Sequence, residues 1–198
     1  MSSMCRSADR GVTLIELVVF IVIVGVAMAG LFAAFNTITA ASADPQVRKQ
    51  ALAIAESLMD EVQLMPFTYC DPDDANAATA TNSIVGDPNG CATLSEDTAM
   101  GTEPPSGETR YGSPKFDNVS DYHGFSMSSG IQDITNTTIA GLGAYSASVT
   151  VTQAGLGAAP NAISGPNALR ISITVTGPGS VSTTLEGYRT RYAPTTLP

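Results

Sequence analysis

The chain has 198 residues, which accommodate one ordinary domain and an appended segment. Its 9 lysines and arginines stand against 18 aspartates and glutamates, giving a formal net charge of −9 at pH 7. This balance argues against nucleic acid and against an anionic membrane surface as partners, because both require clustered basic residues. A single histidine excludes a metal site built from several histidines of one chain.

An uncharged apolar run, LVVFIVIVGVAMAGLFAAF, occupies residues 17–35. A helix crosses a bilayer with about 17–25 such residues. One interpretation is a secretory signal peptide cleaved at Ala41-Ser42-Ala43, but the run exceeds the usual length of about 7–15 apolar residues. Another interpretation is an ordinary transmembrane anchor. It does not explain Glu16 at the edge of the run, because moving an ionisable side chain into the hydrocarbon costs up to about 3 kcal/mol.

A third interpretation accounts for that carboxylate. The segment GVTLIE resembles the processing motif of type IV prepilins and type II secretion pseudopilins, with Val12 where the family usually has Phe. The resemblance implies that a prepilin peptidase cuts between Gly11 and Val12 and N-methylates Val12, so the apolar run stays in the mature chain. It also implies assembly with other pilins through this segment, whose residues are Thr13, Leu14, Ile15 and Glu16.

A buried carboxylate needs a cation, and the freed amine of a neighbouring subunit supplies one. The pair would set the register between subunits, as a buried polar residue does in a coiled coil. The alternative is that Glu16 reaches the lipid headgroups. The motif places the leader in the cytoplasm of a bacterial inner-membrane, single-pass protein with a periplasmic head that later joins a pilus at the cell surface. Partners are then the peptidase, other pilins, the inner-membrane assembly platform and, before assembly, lipid.

The chain therefore divides into a leader at 1–11, a transmembrane or filament-core helix at 12–44 and a head at 45–198. Asp44-Pro45 indicates either a helix restart or a kink in one helix. The head begins with a helix at 45–65, ended by Pro66, whose apolar stripe is expected to pack on a sheet. That stripe comprises Val47, Ala51, Ile54, Ala55, Leu58, Val62 and Met65.

Residues 66–143 are polar and show no period, so they are predicted to be a loop region that needs a tether. A disulfide between Cys70 and Cys91 is the favoured tether, against a metal pair or two free thiols; Cys5 lies in the leader. Residues 144–192 alternate apolar and polar side chains in three runs, which predicts an antiparallel β-meander. The fold class is α+β, a type IV pilin-like fold with a long N-terminal helix packed on a C-terminal antiparallel sheet.

Beyond the N-terminus, the chain is similar to the MshD-type minor pilins of the mannose-sensitive haemagglutinin (MSHA) pilus. The similarity rests on SADP at 42–45, PFTYCDP at 66–72, FDNV at 116–119 with the following Asp121-Tyr122, and GYRTRYAP at 187–194. It implies a minor subunit that initiates or caps a filament. A type II secretion pseudopilin shares the motif, and a membrane-anchored or secreted ligand-binding protein is the alternative of another class.

The remaining candidate sites are few. Asp71, Asp73 and Asp74 form an oxygen-rich cluster of the kind calcium prefers, but the spacing is not that of an EF-hand and a solvated acidic turn is favoured. Asp121-Tyr122-His123 lacks a nucleophile motif or second histidine, so no enzyme activity and no cofactor are expected. Arg189 and Arg191 are expected to be solvent-exposed or to face a neighbouring subunit.

Overall fold

A computed structural model describes residues 11–96, 100–101 and 107–191; for residues 37–44 it describes the backbone alone. Leader residues 1–10, including Cys5, lie outside these ranges, as do residue 192 of the predicted third β-run and residues 192–194 of the segment GYRTRYAP. The chain forms two compact units, Met1–Pro45 and Gln46–Pro198, the second of which is the head.

Helix α1 comprises Leu14–Leu64 and includes Pro45. Its sequence is rich in Ala, Val, Leu and Ile, of which Ala and Leu favour helix most strongly. Of the two alternatives at Asp44-Pro45, the restart is wrong, because the helix assignment is continuous. Proline removes one backbone hydrogen bond, which the turns on either side tolerate. The helix ends two residues before Pro66, at the predicted boundary.

The part of α1 that lies in the head packs with the apolar stripe inward. Ala51, Ile54, Ala55, Leu58 and Val62 are all buried and share one core with the sheet. Val47 and Met65 are partly buried against the same core, so the predicted stripe is confirmed. Met59 is also buried, although the predicted stripe omitted it.

The sheet is antiparallel with strand order β1-β2-β3-β4: Ser126–Met127, Ser146–Gln153, Ala168–Thr176 and Ser182–Thr190. Central pairs such as Val149↔Ile173 and Ile173↔Leu185 fix the register. The prediction of three strands missed β1, because two residues show no alternation. The other three strands are those that the alternation predicts.

One face of the sheet carries the core, and the α+β prediction is confirmed. Alternate residues of β2 and β3 are buried, whereas the intervening Ser, Thr and Arg side chains are more exposed. The helix crosses close to β4, where a Cβ built on Gly187 would lie 2.8 Å from the Met59 Sδ. The core side chains from the two central strands are Ala147, Val149, Val151, Leu169, Ile171, Ile173 and Val175.

The predicted loop region is held together by side chains rather than by regular structure. Cys70 and Cys91 form a disulfide, as the cysteine count predicts. A 3₁₀ helix at Ser120–Tyr122 and strand β1 lie within the region. Tyr122 and Met127 extend the core beneath it.

Candidate functional site: the N-terminal segment and an acidic cluster

The N-terminal candidate residues lie at the start of α1. The carbonyl of Thr13 accepts the N–H groups of Glu16 (3.1 Å) and Leu17 (3.2 Å), which closes the first helical turn. Glu16 is exposed in that turn, where the helix dipole stabilises a negative charge. No ion pair of Glu16 falls within the described residues. The roles of Gly11 and Val12 in processing, and of residues 13–16 in assembly, are therefore predictions that these contacts leave open.

The helical segment Leu14–Asn36 is long and apolar enough to cross a membrane, with a mean hydropathy of 2.9. Its large apolar side chains are 37–81% exposed, from Val24 to Leu14. Burying each such side chain is worth about 1.5–3 kcal/mol. A segment of this kind requires a lipid or protein environment, so it fits a membrane anchor.

Three segments of the head, residues 66–72, 116–119 and 187–191, meet at one junction. The Asn118 side-chain amide donates to Thr68 Oγ1 (2.8 Å), and the Val119 N–H donates to the Pro66 carbonyl (3.1 Å). The Arg191 guanidinium stacks over Phe67, with Cζ 3.9 Å from the ring centroid, and also over the adjacent tyrosine ring. The junction therefore joins the end of α1, the 3₁₀ helix and the end of β4.

Arg189, in β4, and Arg191, directly after it, were expected to be solvent-exposed. Both are half-buried. Arg191 also donates to the Thr68 carbonyl, and Arg189 donates to the Met65 carbonyl (3.4 Å). The expectation was wrong because β4 returns both residues to the segment that follows α1, where Arg191 stacks on Phe67 and Tyr69 and Arg189 reaches the Met65 carbonyl.

An ion pair between the buried Arg110 and the half-buried Glu61 ties α1 to the loop region. Arg110 donates from Nε to Glu61 Oε1 (2.6 Å) and from Nη2 to Glu61 Oε2 (2.7 Å). Tyr122 Oη donates to the same Oε1 (2.9 Å). Burial opposes ionisation of Glu61, but the hydrogen bonds and charge of Arg110 lower its pKa overall. No local pattern indicates this pair, because its members are 49 residues apart in the sequence.

Of the three predicted metal candidates, Asp74 is a structural carboxylate. Its oxygens accept the N–H groups of Asn76 (2.8 Å), Ala92 (3.0 Å), Thr93 (2.7 Å) and Leu94 (2.9 Å). Burial raises the Asp74 pKa, but these hydrogen bonds outweigh it and lower the pKa well below its usual value. Asp74 thus joins the turn after Cys70 to the segment after Cys91.

Asp71 and Asp73 lie together, and the structure adds two acids that the sequence did not indicate. One carboxylate oxygen each from Asp71, Asp73, Glu108 and Asp117 lies within 4.8 Å of the others. We call these four residues the acidic cluster. Asp73 is exposed, Asp117 is half-buried, and Asp71 and Glu108 are buried. The prediction of a solvated acidic turn is therefore wrong for the buried acids Asp71 and Asp74.

The electrostatics of the acidic cluster are those of crowded carboxylates. Burial, followed by the charges of Asp121 and the other cluster acids, raises the pKa of Glu108 to about 8. The same two causes raise the pKa of Asp117 to about 7. Burial is also the largest cause of the raised pKa of Asp71. The negative charges thus oppose one another's ionisation.

The Asp121-Tyr122-His123 segment has structural contacts. Asp121 Oδ2 accepts the N–H groups of Asp117 (3.0 Å) and Asn118 (2.7 Å). The exposed His123 accepts the Val151 N–H at Nδ1 (3.2 Å), beside β1. These contacts organise the loop before the sheet.

Residues 6–32 match the prokaryotic N-terminal methylation motif. This motif supports the type IV pilin and pseudopilin family, and the helix followed by an antiparallel sheet is a type IV pilin-like fold. The motif implies processing by a prepilin peptidase, assembly with other pilins, and a structural role. No curated protein and no solved structure matches the chain.

Proposed function

We propose that the chain is a minor pilin-like structural subunit of an MSHA-type type IV pilus, assembled through its N-terminal helix. The observation that carries the proposal is the exposed apolar segment Leu14–Asn36, which overlaps the methylation motif at residues 6–32 and has Glu16 as its single carboxylate. An apolar segment of this length serves both as a membrane anchor and as a packing surface for like helices.

Maturation begins in the inner membrane, with the leader in the cytoplasm and the head in the periplasm. A prepilin peptidase cuts between Gly11 and Val12 and N-methylates Val12. Residues 11–13, which flank the cut, lie outside the helix, which suits a peptidase substrate. Leu14 starts the helix, so the apolar segment remains in the mature subunit.

Assembly then moves this segment from lipid into a bundle of like helices, on an inner-membrane platform. In that dry environment Glu16 pairs with the methylated amine of a neighbouring subunit. A carboxylate left unpaired there would cost several kcal/mol, so the pair selects one axial register. Residues 13–15 flank the pair on the helix surface, and the finished subunit stands in a pilus at the cell surface.

The MSHA assignment is favoured by the similar segments that meet at the junction around Thr68. Side-chain contacts connect those segments in three dimensions, so the similarity covers one structural unit of the head. A type II secretion pseudopilin is the alternative with the same motif. Deletion of the gene distinguishes them, since loss of pili supports the first and loss of protein secretion supports the second.

The cleavage test uses Gly11→Ala in the full chain, expressed with the peptidase. The variant is expected to keep its leader, whereas the native chain yields a mature protein that starts at methylated Val12. Gly25→Ala is the matched control, because a Cβ at either glycine meets nothing within 4 Å, and it should be cleaved. Intact mass and N-terminal sequencing measure the result.

Other outcomes contradict the proposal. Normal cleavage of Gly11→Ala would show that the peptidase does not use this site. A native start at Asp44 would support a secreted protein, and an uncut native leader would support a plain membrane-anchored ligand-binding protein.

The register test uses Glu16→Leu, with the exposed head residue changed in Glu56→Leu as its control. Glu16→Leu should insert into the membrane and be cleaved, but it should be depleted from sheared filaments. Glu56→Leu should enter filaments normally. Equal incorporation of both variants would show that Glu16 sets no register.

A further inference from the structure

An apolar groove lies between the head part of α1 and the loop at residues 131–142. It has a volume of about 400 Å³, and its apolar lining consists of Ala53, Ile54, Leu58, Ile131, Ile139 and Leu142. We call these six residues the aliphatic groove. Ligand-binding clefts have volumes of about 300–1,000 Å³. Because Ala53 and Ile139 are exposed, the groove is open to an apolar group from outside.

Contacts within the head hold the aliphatic groove in shape. Ile131 donates its N–H to the Leu142 carbonyl (3.2 Å), which closes the loop on itself. Arg110 donates to the carbonyls of Gln132 (3.0 Å) and Asp133 (3.3 Å), which joins the loop to the ion pair on α1. The Asp133 carboxylate already accepts N–H groups within its own turn. A preformed groove binds a partner without the cost of ordering its walls.

The same chain presents an exposed aliphatic pair that suits such a groove. Ile84 is 62% exposed and Val85 is 51% exposed. We call these two residues the aliphatic tip. They lie in the loop that the disulfide between Cys70 and Cys91 closes. The head therefore carries an apolar projection and an apolar recess in different places.

Hydrogen bonds fix the aliphatic tip in its exposed position. The Ile84 N–H donates to Asn82 Oδ1 (2.9 Å), and the Asp87 N–H donates to the Ile84 carbonyl (3.3 Å). The Gly86 N–H donates to the Cys91 carbonyl (2.8 Å), beside the disulfide. The tip is thus a rigid turn, and its docking costs little conformational entropy.

Charge complementarity sets the orientation of the tip in the groove. Asp87 follows the tip by two residues. Lys49 is exposed and lies one helical turn before Ala53, at one end of the groove. Asp60 lies one turn after Ser57, at the other end. Because opposite charges attract and like charges repel, the tip enters with Asp87 towards Lys49.

Both features are open in one molecule, so the tip does not occupy the groove of its own chain. A contact between two unlike patches is heterologous, and it repeats from copy to copy where a two-fold contact closes on a pair. Chains anchored side by side through Leu14–Asn36 meet at a high effective concentration, so a small contact is sufficient.

We propose that the aliphatic tip of one copy docks in the aliphatic groove of a second copy of this chain. The inference rests on the proposed function, because filament assembly is what brings the heads together. It goes beyond that function by naming the neighbour. A minor subunit held by this contact enters the filament as a run of copies rather than singly.

The experiment is cross-linking of the full chain in the bacterial inner membrane, with Cys5→Ser in every variant. Val85→Cys places a thiol on the tip, and Ser57→Cys places one in the lining of the groove. After oxidation, the double variant should give a ladder of dimers, trimers and longer species on a non-reducing gel. Each single variant should stay monomeric, because only unlike patches meet.

The matched control combines Leu156→Cys with Ser57→Cys. Leu156 is also an exposed aliphatic residue, in the loop after β2, and this pair should not cross-link. A ladder as strong as that of the Val85→Cys pair would overturn the proposal, since random collision would explain both. Dimers of either single variant would overturn it by indicating a two-fold contact. Adducts whose mass is not a multiple of the chain would overturn it by assigning the groove to another protein.

Further substitutions test the chemistry of the contact in the cross-linking pair. Ile84→Asp should lower the cross-linked fraction at least about tenfold, because a carboxylate is costly to bury in the groove. Leu156→Asp should leave it unchanged. Lys49→Glu should lower it about twofold to fivefold, the effect of an exposed ion pair, whereas Arg170→Glu, with the same change in net charge, should not. An unchanged ladder in the Ile84→Asp variant would show that the tip does not dock.

Cleavage of the native chain before Val12 separates this inference from the proposed function. Cleavage without a ladder in the double variant would refute the docking and leave the pilin assignment standing. A ladder without cleavage would support the docking and contradict the pilin assignment. Failure of both would refute both.

Discussion

Replacing Arg110 by methionine removes the cation that neutralises Glu61 inside the head. Arg110 is 6% exposed and donates to both oxygens of Glu61, and also to the carbonyls of Gln132 (3.0 Å) and Asp133 (3.3 Å). The variant leaves Glu61 with the hydroxyl of Tyr122 alone. Removing one partner of a buried pair costs about 3–5 kcal/mol.

A double-mutant cycle isolates the pair. For a chain of this size, each kcal/mol lowers the Tm by about 2–4 °C, so Arg110→Met should lower it by about 6–20 °C. Glu61→Met should be comparably costly, because it strands the buried guanidinium. The double variant should cost at least about 2 kcal/mol less than the sum of the two. Thermal and urea unfolding of the full chain in detergent measure all four proteins.

Arg170→Met provides the control within the sheet. Arg170 pairs with Glu186 at 3.9 Å, and the side chains are 45% and 52% exposed. An exposed pair contributes about 0–1 kcal/mol, so this variant should barely change the Tm. The reasoning fails if Arg110→Met is as mild as Arg170→Met, or if the two substitutions in the cycle are additive.

Two more outcomes follow from the loop region. Cys70→Ser with Cys91→Ser should destabilise the head by about 3 kcal/mol, because the disulfide joins residues 21 positions apart. The urea midpoint of the variant should be lower than that of the oxidised native chain and should match that of the reduced native chain. The Tm should also fall as pH rises from about 4.5 to 8, because the folded state raises the pKa of Asp117 to about 7 and that of Glu108 to about 8. The protonated acids therefore stabilise the fold at low pH, and this stabilisation is lost as they ionise. A flat Tm across that window, or an equal fall in the Asp117→Asn variant, would contradict the second expectation.

The sequence predicted the elements whose pattern is local. Strands β2 and β3 alternate along their whole length because one face is buried and the other is polar. The stripe of α1 follows from the same logic at helical spacing, and the motif at Gly11–Glu16 needs no tertiary contact at all. Strand β1 has two residues, too few for any period, and it forms because β2 offers it a partner.

The sites in the head depend on contacts across the chain. Asp71 and Glu108 are 37 positions apart, and Asp117 is nine further on. No spacing rule joins them; the disulfide, the bonds to Asp74 and the 3₁₀ helix do. Glu61 similarly lies on the helix face that the periodicity predicts to be polar. It is half-buried because the loop that carries Arg110 packs against it.

Strand β4 ends the sheet, and in the described part of the chain it pairs with β3 alone. Its outer edge thus presents unpaired backbone groups, which in other proteins recruit foreign strands and cause aggregation. Threonines, Glu186 and Arg189 occupy this strand, and Leu185 is its one packed aliphatic side chain. This hydrophilic composition therefore disfavours pairing of the edge with strands of other molecules.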